Sequence, residues 1–527
     1  MRTIAPTSLG AICAGTALAL VLSPTTSLYA APVSAVEVSQ DIHHDVSPPL
    51  SHLVRMAPPH RRAAPRIIPL RQIPHPSSAG ADQEDGALQK AAGPKVGTVD
   101  GLNFAGAGQG DYGYSDFYAP PDTNGAVGAT QYVQFVNASF AIFNKTTGAL
   151  EIPIADANTI WAGFGGTCEA NNDGDGIVKY DRIANRWVVS QLSVASTPYT
   201  ECVAVSQTSD ATGAYNRYAF SYGTNFDDYP KFGVWPDGYY VTYNIFANGQ
   251  NFIGPMACAL HRAKMLKGKK ATQQCFQLST NFDSLLPADL DGAKKPPAGS
   301  PDYLVNYGSN SLNLWQFHVD WTTPANSTLT GPVNIPVPAF AATCNGGTCI
   351  PQKSTTQKLD SLADRLMYRF AYRNFGDHES LVVNHSVKVG TSSGVRWYEL
   401  RSPSAPTLFQ SGTFSPDANF RWMGSVAMDK VGDIAVGYSV SSATSFPSIA
   451  YTGRVPSDPV GTLEAENAVK AGAGSQTGGL SRWGDYSGMS LDPTDDCTFY
   501  YTNEYLKSNG SFNWSTQINS FKFPGCS

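Results

Sequence analysis

Charge is scarce in this 527-residue chain: 15% of residues are Asp, Glu, Lys or Arg, where about 25% is usual. A long solvated helix or coiled coil needs those residues to clothe it, so neither is expected. A basic excess is missing too. The net charge of −6 excludes a protein built to neutralise nucleic-acid phosphates. No apolar stretch after the N-terminal leader is long enough to form a membrane helix. The chain has no glycine-rich phosphate loop of the usual spacing. Histidine is thin as well. Of nine, His43, His44, His52, His60 and His75 fall in the first hundred residues, leaving His261, His318, His378 and His385 for the folded part. His378 falls at an exit turn, and His318 and His385 read as satisfied histidines within a sheet rather than bases.

Aromatic residues (11%), 49 Gly and 36 Pro are what the chain does have, a mixture suited to short strands joined by tight turns. Arg2 precedes an apolar run from Leu9 to Leu22, and Val33-Ser34-Ala35 offers small residues for cleavage. Residues 1–35 therefore read as a signal peptide, and the mature protein as secreted or periplasmic without a membrane span. With Cys13 removed in the leader, eight cysteines remain: Cys168, Cys202, Cys258, Cys275, Cys344, Cys349, Cys497 and Cys526. In an oxidising compartment they read as up to four disulfides. Pairing sequence neighbours would close four local loops, and no Cys-x-x-Cys spacing points to zinc. Residues 36–97 are rich in Pro, Ala, Ser, His and Arg without a period, which reads as a disordered segment or pro-region.

From about Gly97 one pattern recurs: an apolar stretch, an Asp or Gly turn, then an alternating aromatic or β-branched strand. Gly176–Asp181 turns into Arg186–Ser190, Lys231–Trp235 into Tyr239–Tyr243, Arg365–Phe370 into Ser380–Asn384, Ser425–Asp429 into Asp433–Tyr438, and Ser487–Asp492 into Cys497–Tyr501. With Asp122–Ile142 and Asp302–Phe317 there are about seven modules of roughly 60 residues, the size of a four-stranded propeller blade. Arg421-Trp422 before Met428-Asp429 is repeated as Arg482-Trp483 before Leu491-Asp492. The fold expected over residues 98–527 is all-β: one β-propeller, seven-bladed, with six blades as the alternative. A propeller of this kind needs no partner subunit, and a monomer is expected.

In a propeller the innermost strands line a channel, and sites form where the chain enters them. Asp181, Asp237, Asp429 and Asp492 fall at exit turns and read as turn formers. The entry positions hold Asp122, Asp173, Asp175, Tyr229, Lys231, Asp364, Arg365, Arg421, Trp422, Arg482, Trp483, Asp485 and Tyr486. Three guanidinium groups could clamp one carboxylate, or each could pair with an Asp of a neighbouring sheet and staple it. Trp422, Trp483 and the tyrosines offer flat faces for sugar rings. Asn171–Gly176 resembles the first half of a calcium loop, but Arg182 stands where a bidentate acid is required. Asp173 and Asp175 remain candidates for structural calcium; no other cofactor is expected.

Pro120–Gly128 and Arg482–Pro493 resemble signatures of a secreted bacterial propeller family of no established activity, over about residues 100–527. The arginine-lined funnel is similar to the sialidase superfamily. That resemblance implies Arg365, Arg421 and Arg482 as a carboxylate-binding triad, Asp122 as acid/base, Tyr486 as nucleophile and Glu504 as its activator. Trp422, Trp483, Tyr229, Lys231 and Asp485 would line the substrate site. The repeated Ser-x-Asp-x-Gly-x-Thr-Trp box of that family is absent. The reading is a glycoside hydrolase acting on an acidic glycan or cell-surface polysaccharide. A uronate lyase and a non-catalytic carbohydrate- or protein-binding propeller are the alternatives.

Overall fold

The computed structural model describes residues 1–3, 35–57, 65–71, 73–74, 83–89, 93–115 and 118–527. The expected leader, 1–35, lies outside the described residues but for its two ends. Strands dominate and helices are short. Seven strands open successive antiparallel runs: β1 (Asn124–Val127), β2 (Ile177–Asp181), β3 (Phe226–Val234), β4 (Leu286–Asp291), β5 (Met367–Asn374), β6 (Phe420–Met428) and β7 (Gly488–Leu491). Behind each, the chain meanders outward through strands paired in sequence order. β1 to β7 touch in order and β7 returns to β1, so the sheets close a propeller-like ring. β4 and β5 also pair in parallel, joining two runs into one sheet.

The ring closes through the N-terminal side of the chain. Val99–Ala105 pairs antiparallel with Trp514–Lys522 and becomes the outermost strand of the β7 sheet. Cys497–Cys526 then ties the C-terminus to that sheet. All eight expected cysteines are paired, each with its sequence neighbour: Cys168–Cys202, Cys258–Cys275, Cys344–Cys349 and Cys497–Cys526.

Sheets packed on both sides explain the composition. The second strand of the β3 sheet, Tyr239–Ala247, is buried at every position but its last, because each face meets another sheet. Charge has no place on such a strand unless it is paired. One core of aromatic and aliphatic side chains runs from Ile177 through Trp235 and Trp315 to Leu400, crossing the runs opened by β2, β3, β4 and β5. Solvent meets the outer strands, as at Thr328–Pro336, where most residues are at least partly exposed.

The described parts of residues 36–97 carry structure where the composition suggested none. Glu37–Gln40 adds a fifth strand to the β3 sheet beside Thr272–Gln277, and His43–Val46 adds one to the β2 sheet beside Tyr215–Gly223. Asp45 pairs with the buried Arg217, Nη2 to Oδ2 at 2.6 Å. The helix Leu50–Met56 inserts Leu50 and Leu53 into the core beside Trp161. Edge strands offer unpaired backbone groups, so a sequence with no pattern of its own can be ordered by docking there.

His385 lies inside the β5 sheet, 0% exposed, stacked on Tyr307 and Tyr398 and edge-on to Phe340. Burial, then the Arg396 charge, holds its imidazole well below the ordinary value. The folded state refuses a proton that the unfolded chain accepts below about pH 6.5, so stability from this residue is present above that pH and lost as pH falls. Wild-type thermal midpoints should drop more steeply between about pH 7 and pH 5 than those of His385→Gln; parallel curves would refute this. Replacing Cys497 and Cys526 together with Ala should lower stability by about 3 kcal/mol, read as a lower denaturant midpoint.

Candidate functional site

The second residue before each inner strand's first or resumed ladder pair takes an equivalent place around the ring. These residues are Asp122, Asp175, Tyr229, Ser284, Arg365, Met423 and Tyr486. Five of them have left-handed backbones although none is glycine: Asp122 (φ 47°), Asp175 (50°), Tyr229 (59°), Ser284 (46°) and Met423 (52°). Each costs on the order of 1–2 kcal/mol, and the kink brings the chain into the ladder from above the channel.

Asp122, Asp175, Tyr229, Arg365 and Tyr486 share one buried charge cluster with Lys231, Arg482 and Asp485. Asp122 accepts from Asn137 Nδ2 (2.7 Å) and from the Asp485 amide (2.6 Å). Lys231 Nζ lies 3.3 Å from the Tyr229 ring centre and 4.2 Å from that of Tyr486, and donates to the Pro230 carbonyl at 2.9 Å. Burial brings this ammonium down to about 8, against the pull of Asp175, Asp485 and Asp122. Burial also raises the Asp122 carboxyl well above its usual range, with Asp485 and Asp175 adding repulsion. The same causes raise Asp175 to about 7, where Asp228 is the leading charge. The Tyr486 phenol is held neutral by burial and the surrounding carboxylates, and its hydroxyl has no hydrogen-bond partner.

The three arginines do not form a triad. Arg365 is bidentate to its neighbour Asp364, at 2.8 and 3.1 Å. Arg482 bonds Asp485 at 3.0 Å and lies 3.6 Å from Asp360. Arg421 is elsewhere. It already pairs in the ladder opposite Val440, so the pleat turns its side chain onto the sheet's flank, where Asp417 and Glu466 each take it through two bonds. Arg365 and Arg482 precede their ladders and can turn inward. Trp422 and Trp483, both 0% exposed, sit 5.8 Å apart in an apolar cluster rather than facing a ligand. Glu504 accepts from the Gly484 amide and makes no bond to Tyr486.

Asp173 is spent on protein donors: Arg66 at 3.0 Å, and the amides of Val194 and Ala195 at 2.6 and 2.7 Å. The left-handed Asp175 turns the next acid toward the channel, so the calcium-loop reading gathers no ligand set at this turn. Among the described residues no three His, Cys, Asp or Glu side chains are arranged to hold a metal. At the exit end of the channel Asp289 bridges Lys179 (2.6 Å) and Arg369 (2.7 Å), and Arg369 also holds Asp291 (2.7 Å). Asp181, Asp429 and Asp492 each cap the amides of their own turns, as exit-turn residues should.

A strap crosses the entry face. Arg66–Ile67 pairs in parallel with Tyr118–Ala119, and Arg482 Nε donates to the Ile68 carbonyl at 3.0 Å. Leu70 packs on the cluster holding Trp422 and Trp483. The Arg71 guanidinium stands 3.8 Å above the Phe226 ring and donates to the Gly249 carbonyl at 2.6 Å, while Ile73 is buried against Phe226 and Phe246. Pro, Ile, Leu and Arg without a period gave no sign of this role; only the docking surface reveals it.

No protein-family model matches the chain, and no curated protein does either. Among solved structures it is similar to the N-terminal domain of Nup159 (9% identity, TM-score 0.35, 83% of this chain and 100% of that one). A Trypanosoma rangeli sialidase in complex with the inhibitor DANA matches at 8% identity and TM-score 0.31, over 66% of this chain and 54% of that one. A PL25 ulvan lyase matches at 10% identity and TM-score 0.32, over 79% and 97%. Among the described residues no helix is long and apolar enough to cross a membrane.

Replacing Leu70 with Asp should lift the strap while leaving the disulfide-tied sheets intact. Acrylamide quenching of tryptophan emission should rise as Trp422 and Trp483 lose their cover, with far-ultraviolet dichroism unchanged. Equal quenching in both proteins would show that the strap does not close this face.

Proposed function

We propose that the chain is an exported seven-bladed propeller that binds and hydrolyses a carbohydrate at the entry face of its ring. The observation that carries this reading is the convergence of Tyr486, Lys231, Asp122 and Asp485 on the channel from three separate segments of the chain. Flat tyrosine faces, a cation and carboxyl groups in one buried place suit recognition of sugar hydroxyls and attack on a glycosidic bond.

In this reading the Tyr486 oxygen bonds to the anomeric carbon as the bridging oxygen leaves with a proton from Asp122. The phenol proton passes to a neighbouring carboxylate, and water later cleaves the tyrosyl–sugar bond. Asp122, protonated through burial, is suited to the acid role. Arg365 and Arg482 orient Asp364 and Asp485 instead of a substrate carboxylate. With the guanidinium groups paired and Asp122, Asp175, Asp228 and Asp485 close by, a neutral sugar suits the site better than the acidic glycan expected from the arginines. The strap must be displaced for a glycan to enter.

Reducing-end release from a panel of neutral and uronate-containing polysaccharides tests this. Activity should appear on neutral glycans, rise in Leu70→Asp, and fall at least about a hundredfold in Tyr486→Phe. An ultraviolet-absorbing unsaturated product would make the protein a lyase. Binding without turnover, unchanged by Tyr486→Phe, would make it a carbohydrate-binding propeller.

A further inference from the structure

Between the β2 and β3 sheets lies a buried group of oxygen atoms that the entry-face site does not use. Glu201, on the strand Tyr199–Ser206, and Asp227, on β3, are both 0% exposed, and none of their four carboxyl oxygens accepts a hydrogen bond of full geometry, although the Ser190 hydroxyl stands beside Glu201. Strand register brings hydroxyls to the same place. Ser190 lies opposite Val203, two residues from Glu201, so both side chains take the face that Val203 buries against the β3 sheet. Asp227 lies opposite Ile245, two residues from Tyr243, and these face back toward the β2 sheet.

Ser190 Oγ and the Tyr243 hydroxyl, each in a residue 1% exposed, make no bond of full geometry, the first standing beside Glu201 and the second beside the Tyr222 hydroxyl. The Tyr243 hydroxyl is close enough to feel the charge of both carboxyls. The Tyr222 ring meets that of Tyr243 edge-on at 5.0 Å and closes one side, its own hydroxyl engaged by Gln273. The other charged groups facing the pair are Asp175, Asp228 and Lys231. Lys231 is already held between Tyr229 and Tyr486.

Two carboxyl groups without a paired cation in a dry interior are among the most unfavourable arrangements a fold can contain, and something must neutralise them. The atoms concerned are six oxygens, with no nitrogen or sulfur among them, which is the donor chemistry of a hard divalent cation. There are only two acids, so neutral hydroxyls complete the set. We propose that Glu201, Asp227, Ser190 and Tyr243 form a calcium site that pins the β2 sheet to the β3 sheet. The ion would add a bridge to the Asp181–Arg262 ion pair and the Tyr222–Gln273 bond that already join these sheets.

The test uses the full chain after dialysis against a chelator, titrated calorimetrically with calcium chloride or magnesium chloride and heated with and without each salt. We expect one calcium bound per chain, weaker magnesium binding, and a thermal midpoint raised by several degrees at saturating calcium. Glu201→Gln and Tyr243→Phe should each weaken calcium at least about tenfold. Should Glu201→Gln not fold, the wild-type titration and Tyr243→Phe still decide. Absence of binding with an unchanged midpoint, or a full calcium response in both variants, would overturn the proposal and leave protons as the neutralising charge. Neither readout depends on glycan turnover, so failure here leaves the entry-face reading standing.

Discussion

Everything in this molecule depends on the closure of the ring by Val99–Ala105 against Trp514–Lys522. A small antiparallel sheet can bury one face against a neighbour, but its other face needs a second neighbour, and only a closed circle gives every sheet two. The outermost strand of the last sheet comes from the beginning of the folded region, so chain ends more than four hundred residues apart share one ladder. The Cys497–Cys526 disulfide holds the other end of the same sheet.

Closure also creates the chemistry. It gathers the turns entering seven inner strands at one end of a channel, where side chains from residues 122 to 486 meet. There charged side chains gather where water is excluded. Such groups persist by pairing, as Arg365 does with Asp364, by stacking, as Lys231 does between two tyrosines, or by keeping a proton, as Asp122 does. The same rule isolates Glu201 and Asp227, which neither pair with a cation nor stack, and whose carboxyls burial raises well above their usual range.

The legibility of the sequence followed how local each interaction is. Hairpins such as Lys231–Tyr243 were readable, because turn residues and period-two alternation act over a few positions. The disulfides between sequence neighbours were readable for the same reason. β4 was not: Leu286–Asp291 is six residues long, contains Pro287 and pairs in parallel with β5, so it lacks the alternation of a hairpin strand. Asp122, Tyr229, Lys231 and Tyr486 were legible as entry residues from their place before an alternating run. Arg421 was misplaced because a shared Arg-Trp dipeptide does not reveal that one arginine is already in its ladder while Arg482 precedes one.

Composition and spacing by themselves determined that this chain forms many short paired strands with turn acids at their exits, since those preferences are set by neighbouring residues. The tertiary structure alone decided that residues 65–71 and 73–74 lie across the entry face, that Arg421 points away from it and that Glu201 feels the charge of Asp227. These facts depend on pairings between distant strands and on the direction a pleat gives each side chain. No local pattern encodes either, because a side chain's partner across a sheet interface is chosen by closure of the whole ring.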